Sequence, residues 1–305
     1  MFAFIVKRLL SLIPTLFVAL TVSFFLIRLA PGSPFLNERA LSSEVREALE
    51  AKYGFDQPMA VQYLTYVGNL LRGDLGLSTK YPQRTVNEII ALGFPVTLLL
   101  AAGALCWALL VGIAAGTIGA VRQNSWLDHS AMLLALTGIG VPSLVLGPVL
   151  IFVFSLSWYV LPPGGWGTWS HMILPSLTLG TVYAAYIARL TRTGVLEVIR
   201  SDYIRTARAK GLSEPLVIVR HLLRGGLLPV VTFLGPAVAH LLVGSVVVEK
   251  IFNTPGIGPY FVDAAINRDY FLVMGIILLE SVFLLGMNLL VDIAYGWLDP
   301  RIRYE

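Results

Sequence analysis

The sequence predicts an all-α polytopic membrane protein: six transmembrane helices and a small helical insertion after the first. Three observations carry the prediction. Of 305 residues, 56% are hydrophobic and 13% charged, whereas a soluble domain carries about 25% charged residues. The apolar residues fall into runs of the length a helix needs to cross hydrocarbon, roughly 20 residues. The basic residues gather in one connector between such runs instead of spreading along the chain.

The first span is Leu9 to Ile27, behind the basic pair Lys7 and Arg8. Read as a secretory leader it fails, because the run is longer than a leader core and continues into "RLAPGSP", which lacks a small-x-small cleavage site. Residues 31–93 hold six basic and seven acidic side chains. Within them "SSEVREALEAKYGF" places apolar residues at helical spacing behind Ser42 or Ser43 as a possible N-cap, which predicts a helical subdomain outside the membrane. Ser78 reads there as an accessible residue. Phe94 to Val121 is the second span, and its Cys106, the single cysteine, reads as a small buried side chain with no disulfide or metal role. His129 to Ala188 has no Asp, Glu, Lys or Arg and is long enough for two crossings. The hairpin between them lies in "SWYVLPPGGWGTW", where Pro162, Pro163, Gly164 and Gly165 break a helix and Trp158, Tyr159, Trp166 and Trp169 suit a membrane interface. Pro142, Pro148 and Pro175 predict bends within spans. Gly225 to Val248 is the fifth span, and Tyr270 to Tyr295 the sixth, with Glu280 in its middle. The organisation is an amino-terminal end with the first helix (1–30), the insertion (31–93), a membrane core (94–296) and a short tail (297–305).

Orientation follows from the excess of Lys and Arg in short cytoplasmic loops. Between Arg189 and Arg224 stand eight basic residues against three acidic ones, so that connector belongs in the cytoplasm. Lys7, Arg8, Arg122, Arg301 and Arg303 fall on the same side under a six-span count. Both termini are then cytoplasmic and the insertion faces outward.

The connector can be read further. "SDYIRTARAKG" is a helix-forming stretch that ends at Gly211, a residue suited to the left-handed position after a helix, and Ser213, Glu214 and Pro215 open the next one. Helix, sharp turn and helix, held between two spans, form a unit that could dock in a groove on another protein. The other reading of the same charges is a solvated loop attracted to anionic lipid.

At these residues the chain resembles a known family, the inner-membrane permeases of binding-protein-dependent ABC importers of the oligopeptide, dipeptide and nickel group. That family's cytoplasmic signature is Glu-Ala-Ala, three residues, Gly, nine residues, Ile-x-Leu-Pro. With its Gly placed on Gly211, Ala207 and Leu223 match, Arg205 and Thr206 stand at the first two positions, and His221 and Arg224 replace Ile and Pro. "DYIRTARAKGL" with "RHLLRGGLLPVV" resembles the peptide-group variant, whose Leu-Pro comes later, here Leu228 and Pro229. The resemblance extends to "RLLSLIPTLFVALTVSFFLIRLAPGSP", "YGFDQPMAVQYLTYVGNLLRGDLGLS", "VEKIFNTPGIGPYFVDAAINRDY" and "NLLVDIAYGWLDPRIR", nearly the whole chain.

The resemblance implies a type I ABC importer permease fold in the bacterial inner membrane. It also implies a second, similar permease as partner, two cytoplasmic ATPases and an external solute-binding protein. Asp202, Tyr203, Arg205, Thr206, Ala207, Arg208, Lys210, Gly211, Leu212 and His221, within a coupling loop over 191–224, become the candidate ATPase-coupling residues. Ala207 is expected against the ATPase groove and Arg205 on a more exposed face. His221 reads either as an ATPase contact or as a solvated side chain. Cargo is left open among dipeptides, oligopeptides, glutathione-like peptides and nickel complexes.

The chain carries no G-x-x-x-x-G-K-[ST] loop to cradle phosphates, so ATP and Mg are expected on the partner subunits and no cofactor on this one. No nucleic acid is implied. A membrane enzyme is the remote rival. It would draw on Glu280, Asp292 and His129, His171, His221 and His240, yet no H-E-x-x-H spacing occurs. Glu280 and Asp292 lie roughly 18 Å apart along a helix, too far for a carboxylate pair. Glu280 itself has two readings: a translocation-path residue that meets a peptide amino terminus or a cation, or a carboxyl hydrogen-bonded between helices. Asp292 reads as structural, near Arg301 and Arg303.

Overall fold

Hydrocarbon offers no water to a backbone amide, so apolar runs fold as helices that satisfy their own N–H and C=O groups. The computed structural model describes residues 2–29, 34 and 43–298. The tail residues Arg301 and Arg303 and the candidate cap Ser42 lie outside these, as do the side chains of Lys7, Ser43 and Asp292. Helix α1 (Phe2–Leu29) is followed by the short α2 (Ser43–Lys52) and α3 (Met59–Leu71), then by α4 (Val86–Val121). Next come α5 (Trp126–Gly140) and α6 (Ser143–Leu150), the latter continued by wider π-type turns over Ile151–Ser157. After α7 (Trp169–Val198) come α8 (Asp202–Ala209), α9 (Glu214–Leu216) and α10 (Leu223–Gly226) in the connector. Helices α11 (Leu228–Ile251), α12 (Ile257–Asn267) and α13 (Tyr270–Leu298) follow.

By length and composition five of these, α1, α4, α7, α11 and α13, can each cross a membrane. The third predicted crossing is not a straight helix. Helix α5 and the Ser143–Ser157 segment meet at 107°, and they make a sixth span only if the bent pair counts as one. The cause is local: Pro142 has no N–H to continue the ladder and disfavours helical backbone at the residue before it. Val141 accordingly takes φ −97°, ψ 113°. Pro148 and Pro175, in contrast, lie within α6 and α7.

The chain divides into two compact units. The first comprises Met1–Thr97 and Pro255–Leu285. Its core sets Val86 and Ile89 of α4 against Ile257 and Ala264 of α12 and Leu272, Val273 and Ile276 of α13. A second cluster joins Leu20 and Phe24 of α1 to Tyr66 of α3 and Met274. Asp269 is the polar hub. Fully buried, it accepts hydrogen bonds from the Ser78 hydroxyl, from the Lys80 amide (3.1 Å) and from the Leu272 amide at the start of α13 (3.2 Å). Ser78, expected to be accessible, is therefore buried, because the turn it belongs to is folded onto that carboxylate.

The second unit comprises Leu98–Thr254 and Gly286–Glu305, with α7 at its centre. Small residues let α4 approach α7 closely: a Cβ on Gly112 would stand 2.7 Å from the Ala184 carbonyl oxygen, and one on Gly116 would collide with that of Ala188. Between helices in lipid, where apolar surface gains little by association, such close contact is the main source of packing energy. Ala135 of α5 packs on Ala185 and Ala188 of α7. The loop after Ser157 leaves Trp158 and Tyr159 exposed, as is Trp169 at the start of α7, and it is tied down by the Gly165 amide, 2.7 Å from the Phe252 carbonyl. Cys106, expected to be buried, is exposed on α4, because the α7-facing positions of that helix go to Gly112 and Gly116.

One buried ion pair ties α5 to α7. Arg192 donates from Nε to Asp128 Oδ1 (2.7 Å) and from Nη2 to Oδ2 (2.8 Å), and the Asp128 side chain is only 4% exposed. Asp128 also receives the Asn124 amide (3.0 Å), at the positive end of α5. Removing one partner of such a pair strands a buried charge and costs about 3–5 kcal/mol, whereas an apolar pair of similar volume is often neutral. Arg192→Met should therefore lower the unfolding temperature of the purified protein, and Asp128→Leu added to it should restore most of the loss. Thermal melts of the two variants in detergent check both steps.

Candidate functional site

The connector is built on the base of α7. Gly194 and Gly226 bring α7 and α10 into backbone contact, since a Cβ on Gly194 would run into the Gly226 carbonyl. Helix α8 lies against this base through two residues three apart, Ile204 and Ala207. Both are buried, Ala207 at 5% exposure, in a cluster with Ala120, Val195, Val217 and Leu222. This corrects the expectation for Ala207. Its methyl faces the chain's own core, because a one-sided amphipathic helix of eight residues has only one apolar stripe and that stripe is used internally.

The remaining candidates divide by side. Asp202, Tyr203, Arg205, Thr206, Arg208, Lys210 and Gly211 are exposed; Leu212 and His221 are half-buried, and Leu212 packs on the inner cluster. Arg205, expected to matter less than Ala207, stands on the outward face beside Asp202 (3.5 Å), an exposed pair of little energetic weight. The Thr206 hydroxyl bonds the Asp202 carbonyl within the helix (2.9 Å). Arg208 grips Glu214 with Nε (2.7 Å) and Nη2 (3.3 Å) across the turn that follows. Gly211 takes φ +78°, and its amide bonds the Arg208 carbonyl (2.9 Å). That left-handed residue reverses the chain into α9, as its sequence position predicts. The result is a rigid polar knob, closed by a bidentate ion pair and seated on the membrane helices by apolar contacts.

Glu280 is half-buried on α13 and is not without a partner. His129 and His240 are exposed on α5 and α11, and among the described residues no cluster of His, Cys, Asp and Glu could hold a metal. The sequence reading missed the Asp128–Arg192 pair and the Asp269 hub. Lone charges beside apolar runs were the available signal, but partners 64 and 191 residues apart carry no spacing rule.

Comparison with known proteins agrees with this architecture. The family described as "Binding-protein-dependent transport system inner membrane component" matches residues 108–304, and its amino-terminal companion matches residues 1–101. The chain belongs to this family. It is 47% identical over 306 residues to the oligopeptide transport system permease protein of Haemophilus influenzae, covering all of both chains. It is 44% identical to the dipeptide transport system permease protein of Bacillus subtilis, over 98% of this chain and 97% of that one. To the glutathione transport system permease protein of Escherichia coli it is 43% identical, over the full length of both. Among solved structures, an inward-facing methionine ABC transporter shares the fold: TM-score 0.57, 16% identity, 69% of this chain and 96% of that one.

As a permease of this family the chain is a multi-pass inner-membrane protein and a transport subunit, not an enzyme. Its partners in general are a solute-binding protein and ATPase subunits that carry the hydrolysis.

Two substitutions separate the buried face of α8 from the turn that follows it. Ala207→Asp would bury an unpaired carboxylate in the permease's own core, so it should destabilise the connector by several kcal/mol and open it to protease. Gly211→Val meets open space at its Cβ and suffers only the backbone strain of positive φ, roughly 1 kcal/mol or more. Limited proteolysis should cut the first variant within 191–224 much faster than the second.

Proposed function

We propose that the chain is one of two similar permease subunits of an ATP-driven importer of short peptides, with α8 seated in a groove of a cytoplasmic ATPase. The observation that carries the cargo class is the match along the whole chain to oligopeptide and dipeptide permeases. The heterodimer partner, two ATPases and the external binding protein complete the assembly. ATP and Mg act on the ATPases, and this chain holds no cofactor and meets no nucleic acid. Both termini and the connector are cytoplasmic, with the Ser143–Ser157 segment closing the third crossing. Glu280 is a candidate for the path.

The docking reading rests on the build of α8. Its outward face of Asp202, Arg205, Thr206 and Ala209 is exposed, while its inner face is fixed to the base of α7. A push on such an element is passed to α7 and α11 instead of being absorbed. In cells lacking the gene, uptake of radiolabelled tri-alanine should be lost and restored by the wild-type chain. Retained uptake, or loss confined to glutathione or nickel, would exclude the peptide reading. Ala209→Arg, on the exposed face and so harmless to folding, should reduce ATPase retained on the purified complex about tenfold, or ~1.4 kcal/mol; wild-type stoichiometry would remove α8 from the interface.

Orientation has its own check. Arg72 and Ser213 are both exposed, so a cysteine at either is reachable from the water on its side. An impermeant maleimide should label Arg72→Cys in sealed cells, and Ser213→Cys only in inverted vesicles.

A further inference from the structure

A cavity of about 370 Å³ opens in the first unit at the carboxyl end of α1, walled by the end of α2, by α3, by the 74–77 turn and by Phe271. The volume is that of a small-ligand site, about 300–1,000 Å³. Three of its lining side chains carry buried polar atoms with no hydrogen-bond partner: Nε of Arg28, Oη of Tyr66 and Oε1 of Gln62. Buried polar atoms are otherwise bonded in the great majority of cases. Three orphans around one cavity are a concentration that packing alone does not require.

Each orphan has a defined chemical sense. Arg28 is held by rings: its guanidinium carbon lies 4.9 Å from the Phe24 centroid, 4.8 Å from Phe55 and 5.1 Å from Tyr270. Among the described residues no carboxylate pairs with it. Contacts through ring faces hold the charge and leave in-plane N–H groups for an acceptor. Tyr66 is an O–H donor throughout the neutral range, since burial pushes its phenol up to about 12. Gln62 donates from Nε2 to the carbonyls of Gln57 (2.7 Å) and Phe55 (3.3 Å). That pairing prevents the amide from turning over and leaves Oε1 as an acceptor. The three orphaned groups therefore offer two donors, one of them cationic, and one acceptor. Lys52 and Asp74 also line it, and Asp74 already accepts the Gly76 amide (2.8 Å).

A carboxylate answers the two donors, and a neighbouring N–H answers the acceptor; a sulfate or a fully ionised phosphate ester would have no proton for Gln62, and an amine would face Arg28. We propose that this cavity binds the carboxyl end of a short peptide, its carboxylate bonded to Arg28 and Tyr66 and its last peptide N–H to Gln62. The inference rests on the peptide reading above in taking cargo as the source of that end. The geometry of the cavity is independent of it.

The test uses the complex of permeases and ATPases in nanodiscs, with radiolabelled tri-alanine and tri-alanine amide as probes. Tri-alanine should bind saturably and its amide at least tenfold more weakly. Tyr66→Phe should weaken tri-alanine several-fold with no fall in unfolding temperature, because the hydroxyl has no protein partner to lose. Arg28→Gln should abolish the preference for acid over amide. Equal binding of acid and amide, no saturable binding, or wild-type binding by Tyr66→Phe overturns the site. If cells import no peptide while the nanodisc complex still binds tri-alanine through Tyr66, the cargo reading falls and the site stands.

Discussion

Much of what is polar in the described residues answers one constraint: away from water, in hydrocarbon or in a packed core, a hydrogen-bonding or charged group is satisfied by the protein or not at all. Helical backbone is the first consequence. The second is that the rest of the packing is made by contact, so the approach of α4 to α7 depends on Gly112 and Gly116 in place of larger side chains. The third is the treatment of charge. Asp128 and Arg192 stand next to apolar spans only as a bidentate pair, and Asp269 is buried only with amides and a hydroxyl aimed at it.

The connector is the same constraint met at the water surface. A short helix with one apolar stripe can use that stripe once. Here Ile204 and Ala207 spend it on Val195, Val217 and Leu222, so the outward side of α8 is left polar. Rigidity comes from the closed ends: Gly211 reverses the chain and Arg208 bridges to Glu214. On the proposed docking reading, a helix fixed in this way would pass the movement of a soluble partner on to the membrane helices.

Where three unanswered groups gather around one cavity, function is the natural explanation. Arg28, Tyr66 and Gln62 each leave a polar atom unanswered around one cavity. Their other contacts are complete: three rings about the guanidinium and two carbonyls on the Gln62 amide. The groups are positioned but not consumed, as a site held ready for a ligand would be.

Local composition decided much in advance. Apolar runs placed α1, α4, α7, α11 and α13 because a span is a one-dimensional property, a length of sequence that water rejects. Gly211 announced its turn, since positive φ selects glycine at one position. The family was legible in quoted stretches along the chain. What composition could not decide was which face meets what. Helical period groups Ile204 with Ala207 but does not say whether their partner is this chain or another, and it puts no address on Cys106 or Ser78. The 107° break at Pro142 was legible as a bend but not in its size. Asp128 with Arg192, and Asp269 with Ser78, pair across distances in sequence that no local pattern encodes. Only the tertiary structure settles these, because the energy that fixes them is a contact between residues brought together by the fold.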